Sequence, residues 1–324
     1  MFINFLLGII IIVLLLKYLY NKILQMYLIK NNELSYDTYM NNFLQPVSKN
    51  SYYMNYGLWD NPSITDLRAA NERLVDFMFE KMQPYKTPGM KILDIGCGYG
   101  EQDFALLKKI GDPTAHITAI DISETQIKFA RERASAEHKH KQEHKQEHKQ
   151  EHKQLKQLNF EVGNALTIHE TYKTTPFDII ISLESAFHYA ERPQFFKQVN
   201  QILKPDGVFI ICDMMIKNDI TPSLVDSFFY TFFIKLFMDA FHVPKKNLIT
   251  AAEWEHDLVL AGFEVVECND VTAFTFLPMY DFFCTKLFQE KNLPGFLLNP
   301  LLNLFHAYQP FAYRVATCKR KATR

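Results

Sequence analysis

The sequence predicts an α/β domain, a parallel sheet covered by helices on both faces. Three observations carry this. From Lys91 onward, short apolar runs alternate with stretches of helical period. The runs, such as Asp178–Ser182, are rich in Ile and Val, as strands buried on both faces are. The first two runs end on acids, Asp94 and Asp121, and a cluster of glycines follows the first.

Taken in order, the chain opens on an apolar stretch, Phe2 to Leu16, broken only by Asn4 and Gly8 and continued by Tyr18, Leu19 and Tyr20 beyond Lys17. If Lys17 snorkels, the run approaches the ~20 residues that span a bilayer. Tyr18, Tyr20 and Tyr27 would form an interfacial belt, and Lys17, Lys22 and Lys30 keep the following side cytoplasmic. Residues 1–30 are therefore expected to be a transmembrane anchor. A helix lying in the interface and a cleaved signal peptide are the alternatives, the latter without a basic leading region or a small-x-small cleavage site.

Residues 31–88 form an N-terminal lid and helical segment, rich in Asn and Tyr over residues 31–60, with an amphipathic helix over Asp66–Met82, where Leu67, Ala70, Leu74, Phe77 and Met78 recur at helical spacing. Pro84, Pro88 and Gly89 end it. Residues 89–324 carry the sheet. Strands are expected at Lys91–Ile95, Ile117–Asp121, Asn159–Val162, Phe177–Leu183, Val208–Asp213, Phe263–Asn269 and Tyr313–Lys319, seven in all. Helices are expected near Glu101–Ile110, Glu124–Ala136, Pro193–Leu203 and Ala251–Ala261.

Three insertions interrupt the alternation. Residues 137–154 are a QEHK repeat that places His144, His148 and His152 at i, i+4. These could form a metal ladder, but a solvated helical extension is the plainer reading, with like charges stacked on like. No metal is expected. Residues 216–250 and 274–311 are aromatic-rich, with Phe228, Phe229, Phe232 and Phe233 in one and Phe282, Phe283, Phe288 and Phe296 in the other. Neither has an uncharged run long enough to span a bilayer. Core cover, a lid over an apolar substrate and a surface dipping into a membrane remain open; a lid fits their place at the ligand edge.

Bulk properties exclude some classes. A formal net charge of −1 points to no nucleic acid. Five cysteines without a CxxC pair suggest neither a zinc site nor a disulfide framework.

The chemistry lies in Lys91-Ile-Leu-Asp-Ile-Gly-Cys-Gly-Tyr-Gly100, a buried strand, a tight turn and a helix start. Gly96 and Gly98, either side of Cys97, allow the turn and a close ligand approach. The helix N-terminus favours an anionic group, and Asp94 can meet a cationic one such as an amine. Asp121, ending the second strand, suits the two hydroxyls of a ribose.

Asp94-Ile-Gly-Cys-Gly-Tyr-Gly100 resembles the first motif of class I S-adenosylmethionine-dependent methyltransferases. Asp121-Ile122-Ser resembles their second, acidic motif, and Gly163-Asn164-Ala165 their third, with Asn164 where Asp is usual. The stretch from Ser182 to Gly207 resembles their fourth strand and next helix. The resemblance covers roughly residues 50 to 272. It implies a Rossmann-like, doubly wound sheet of seven strands, the last antiparallel. S-adenosyl-L-methionine is the implied cofactor, on Asp94, Gly96, Cys97, Gly98, Asp121, Ile122, Asn164 and Ala165. A dinucleotide oxidoreductase is the structural rival, but G-C-G-Y-G followed by Glu101, Gln102 and Asp103 suits an amino acid moiety better than a pyrophosphate.

Tyr52-Tyr-Met-Asn-Tyr-Gly-Leu-Trp-Asp60 is similar to the aromatic lid segment of the subgroup that methylates sterols, tocopherols, quinones and natural-product sugars. Tyr52, Tyr56 and Trp59 would line that lid, or simply pack an N-terminal helix. His188 is the candidate general base for a hydroxyl acceptor, with Glu184 four residues earlier; the alternative is that His188 caps the next helix or packs beside Phe187 and Tyr189. The expectation is an anchored enzyme, its catalytic domain facing the cytoplasm, acting on a small apolar or lipidic acceptor. A non-catalytic, membrane-tethered interaction module is the other class.

Overall fold

In a computed structural model of the chain, neighbouring strand residues part to opposite sides of the sheet. Ile92 packs with Ile117, Ile179, Ile181, Val208 and Ile210 on one face; Leu93 packs with Ile95, Ile180, Phe209 and Ile211 on the other. Side chains alternate with period two along a strand, so a run apolar in both phases must be covered on both sides. The structure describes residues 29–30, 33–34, 51–143, 157–217, 231, 234–235, 238, 243–291, 306–307 and 309–321, with some helical stretches, 136–143 among them, described by backbone alone. Two units divide it, Met1–Tyr52 and Tyr53–Arg324. In the first, Ile29–Lys30 pairs antiparallel with Glu33–Leu34.

The second unit holds the sheet. Its elements run α1 Leu67–Met82, β1 Lys91–Ile95, α2 Glu101–Ile110, β2 His116–Asp121 and α3 Glu124–Glu143. There follow β3 Leu158–Val162, α4 Ile168–Tyr172, β4 Phe177–Leu183, α5 Arg192–Ile202 and β5 Leu203–Ile216. The last are α6 Ala251–Leu260, β6 Phe263–Asp270, α7 Phe276–Lys291 and β7 Phe311–Arg320. The sheet order is β3-β2-β1-β4-β5-β7-β6. Every pairing is parallel except those of β7, which runs antiparallel to β5 and to β6. This is the doubly wound sheet expected, with its last strand reversed.

Helices α1, α2 and α3 pack one face through Leu74, Met78, Leu106, Ile110, Ile127 and Ala130; α4, α5 and α6 pack the other through Ile168, Phe195, Phe196, Val199, Trp254 and Leu258. Asp66 caps α1, accepting from the Ala69 amide at 2.9 Å, and Thr250 with Glu253 forms a capping box on α6.

Several boundaries depart from the sequence reading. β5 begins at Leu203, which pairs with Phe177 of β4, and reaches Ile216 because β7 supplies partners from Val208 against Lys319 through Ile216 against Phe311. α3 continues past Ala136 into the repeat as far as Glu143. Two helices were not foreseen: α4 is only five residues long, and α7 lies inside the third insertion, whose last residue, Phe311, opens β7. The histidines at 144, 148 and 152, most of the second insertion and the anchor residues 1–28 lie outside the described residues. Among the described residues no helix is long and apolar enough to cross a membrane.

Candidate active site

Strands β1 and β4 are neighbours whose connections leave in opposite directions across the sheet, which opens a crevice at their carboxyl ends. The glycine turn fills one side of it. Gly96 N and Cys97 N donate to Ile120 O at 2.8 and 3.0 Å, and Gly98 N donates to Asp121 Oδ2 at 3.0 Å. The turn is thereby fixed to the end of β2. Gly96, Gly98 and Gly100 all have positive φ.

Gly96 has the left-handed φ that the expected turn requires, and packing adds a second demand for glycine: a Cβ there would fall inside the Ser185 side chain and 2.9 Å from the Tyr189 hydroxyl. Ser185 Oγ donates to Ile95 O at 2.8 Å, lies 2.8 Å from Ser182 Oγ and accepts from Tyr189 at 2.9 Å. At Gly98 the nearest atom to a Cβ would be Met54 Sδ, 3.3 Å away. Met54 belongs to the segment Tyr53–Asp60, which thus lies over the glycine turn. Cys97 is buried in the core.

Asp94 and Asp103 have no solvent exposure. Asp94 Oδ2 accepts from Gln102 Nε2 at 2.7 Å, and Asp94 and Asp103 are joined by a carboxyl–carboxyl hydrogen bond, which needs a proton on one of them. Burial pushes the Asp94 carboxyl up to about 6, and burial plus the Asp94 charge holds Asp103 well above the usual range. Two buried carboxyls in contact cannot both ionise without a cation beside them. The ammonium of an amino acid moiety would be such a cation.

Asp121 accepts from Gly98 N and, at 2.9 Å, from Ser123 N, one bond on each oxygen. A carboxylate has about four acceptor sites, so both oxygens can still receive a diol. Ile122 beside it is 71% exposed, and Val162, paired with Asp121 across β2 and β3, is 46% exposed. Both are exposed apolar side chains at the carboxyl ends of β2 and β3, of the kind that could meet the face of a planar ring. Val162 carried no signal in the sequence, being one more apolar residue of a strand. Asn164 Oδ1 accepts from Leu166 N at 2.9 Å, closing an Asx turn, the bond an Asp would also make there. Ala165 is buried behind it in the core.

Across the crevice, Glu184 follows β4 with φ 53°, the only non-glycine among the described residues at positive φ. A strained backbone at a strand end is a mark of functional sites. Its Oε1 accepts from Tyr56 N at 2.8 Å and from the Tyr313 hydroxyl. Burial, reinforced by Asp213, raises the Glu184 carboxyl well above its ordinary value. Tyr56 packs its ring on Phe276 at 5.1 Å and on Tyr313 at 6.3 Å. Trp59 meets Phe282 at 5.3 Å, and its amide donates to Phe274 O at 2.8 Å. Tyr56 and Trp59 are therefore joined to the third insertion, while Tyr52 belongs to the other unit.

His188 ends a single 3₁₀ turn, Ala186–His188, and is partly exposed. Its ring lies 4.0 Å from that of Phe187. It does not cap α5, whose N-cap is Glu191. Asp213 is fully buried and accepts from Arg192 at 3.1 Å, Trp254 Nε1 at 3.0 Å and Met214 N at 2.9 Å. It is consumed by structure.

Residues 86–256 match a family described as a methyltransferase domain. Methyltransferase GfsG of Streptomyces halstedii is 26% identical over 253 residues, 73% of this chain and 77% of that protein. Erythromycin 3''-O-methyltransferase of Saccharopolyspora erythraea is 28% identical over 245 residues, 74% of this chain and 71% of that one. The fold is shared with geranyl diphosphate C-methyltransferase of Streptomyces coelicolor A3(2), solved with geranyl diphosphate and S-adenosyl-L-homocysteine, at a TM-score of 0.59 and 15% identity over 85% of this chain and 97% of that one. The family match takes in more than half of the chain. The chain belongs to the methyltransferase domain family; it is a class I enzyme that uses S-adenosyl-L-methionine and acts on a small molecule.

Proposed function

We propose that this methyltransferase methylates a hydroxyl on a small apolar or lipidic molecule, with His188 as general base, and that residues 1–30 tether it to a membrane with the catalytic domain facing the cytoplasm. The observation that carries the acceptor class is the aromatic cap: Tyr56 on Phe276, Trp59 on Phe282, and Met54 over the glycine turn. Such a surface at a crevice mouth favours an apolar ligand and excludes water from the reaction. The relative named for erythromycin and the fold neighbour solved with geranyl diphosphate accord with that class.

S-adenosyl-L-methionine supplies a methyl group already activated on a sulfonium centre. Asp94, the glycine turn, Asp121 and Ile122 would hold it. What the remaining side chains contribute is alignment and one proton transfer. The acceptor hydroxyl loses its proton to the His188 imidazole as its oxygen bonds to the methyl carbon and the carbon–sulfur bond breaks. A group titrating near neutrality suits this, and such assistance is worth ~10²–10⁴-fold. Glu184, its Oε1 committed to Tyr56 and Tyr313, would hold the cap closed over the site. A non-catalytic tethered module is disfavoured, because it has no use for Asp94, Gly96, Gly98 and Asp121 together.

The test supplies methyl-labelled S-adenosyl-L-methionine and a total lipid extract, and measures label in the organic phase. Wild type is expected to transfer label, and His188→Ala to lose ~10²-fold or more in rate while binding the donor within about twofold. Label that stays in the aqueous phase would contradict an apolar acceptor, and a His188→Ala rate close to wild type would contradict the base.

A further inference from the structure

The His188 turn has little to hold it by itself. A 3₁₀ turn makes poor hydrogen bonds, and this one makes two, His188 N to Ser185 O and Tyr189 N to Ala186 O, each 3.1 Å. A base must nevertheless be held within a fraction of an ångström to act. The hold comes from outside the turn. Asn247, 3% exposed, donates both amide hydrogens, to Phe187 O and to Tyr189 O at 2.8 Å each. These are the carbonyls on either side of His188.

Asn247 is itself fixed from the core. Its amide donates to Pro244 O at 2.8 Å, and its carbonyl accepts from Arg192 Nη2 at 3.2 Å. Arg192 Nη1 pairs with Asp213 at 3.1 Å, both side chains almost wholly buried, and Trp254 Nε1 closes the far side. A continuous set of bonds therefore runs from α6 and β5 through the start of α5 to the backbone around His188. The stretch Lys245–Asn247 ends the connection that leaves β5, so the second insertion returns to the fold at this point.

We propose that Asn247 is a positioning residue for methyl transfer: its amide clamps the Phe187–Tyr189 backbone so that the His188 imidazole faces the acceptor. The inference rests on His188 as the base, and the test separates the two. The rate of label transfer into lipid extract at saturating donor is measured for wild type, Asn247→Ala, Asn247→Ser, His188→Ala and the His188→Ala/Asn247→Ala double variant, together with donor affinity and melting temperature. Asn247→Ala leaves the backbone bond to Arg192 in place and is expected to lower the rate ~10–10²-fold, with donor affinity within about twofold. Asn247→Ser, which keeps one donor, falls between and serves if the alanine variant misfolds. In the His188→Ala background the same change costs less than about threefold, since the group it positions is gone. Full turnover in His188→Ala would overturn the reading of the base. A normal rate in the Asn247 variants, or equal losses with and without His188, would overturn the clamp alone.

Discussion

Asp94 is wholly buried against a second buried acid, Asp103, and the two share a hydrogen bond that keeps one of them protonated. The Asp94 carboxyl titrates at about 6 because burial opposes the charge, with Asp121 adding to the rise. The folded chain therefore keeps a proton that the unfolded chain loses near pH 4, so this residue stabilises the free protein at acid pH, and the contribution is lost as pH rises through 6. A bound ammonium reverses the preference and favours the carboxylate. Donor affinity should accordingly weaken as pH falls below 6, by up to about tenfold per unit, in titrations from pH 7.5 to 5; Asp94→Asn should bind more weakly at neutral pH and lose this dependence. An affinity that is flat for wild type over that range would place the ammonium elsewhere. At this scale the sequence made Asp94 and Asp121 legible because each closes an apolar run, the first beside a cluster of glycines. Tyr313, Ser185 and Asn247 gave no such signal: their partners lie 129, 90 and 60 residues away, and only the assembled fold joins them. The turn at Gly96 was visible, but the second demand for glycine there, the Ser185 side chain, was not.

Among the elements, the strands were legible and their ends less so. Buried runs of Ile and Val announce themselves, but β5 gains residues at both ends; along its far half they come from a partner, β7, whose pairing no local pattern reveals. α7 was obscured by its aromatics, which read equally as lid or core. The repeat is a clearer case. α3 carries it to Glu143, and β3 enters the sheet beyond, at the amino end of an edge strand that pairs only with β2. In a parallel sheet that end is opposite the ligand crevice. Deleting Gln142–Lys153 should thus leave the rate of label transfer within about twofold and shift the melting temperature by only a few degrees, as for a surface extension. Activity lost on deletion, or dependent on added zinc in the intact chain, would instead give the histidines a role.

For the whole molecule, the order β3-β2-β1-β4-β5-β7-β6 sets the division of labour. On the proposed reading, the carboxyl ends of β1 to β3 would hold the donor and those of β4 and β5 would face the acceptor, with Asn247 locking the turn after β4. The aromatic segment Tyr53–Asp60 and the start of α7 then close over the crevice. None of this requires residues 1–30. A chain lacking them should leave the membrane pellet and keep its donor site; continued sedimentation would make the aromatic insertions a lipid-binding surface in their own right. That same truncated chain allows the most direct measurement, calorimetric titration with S-adenosyl-L-methionine. The truncated wild type is expected to bind one equivalent, and Asp121→Ala to bind about 10–150-fold more weakly, the loss of ~1.5–3 kcal/mol for hydrogen bonds to a charged group. No binding by the wild type, or the same affinity in both, would contradict the site.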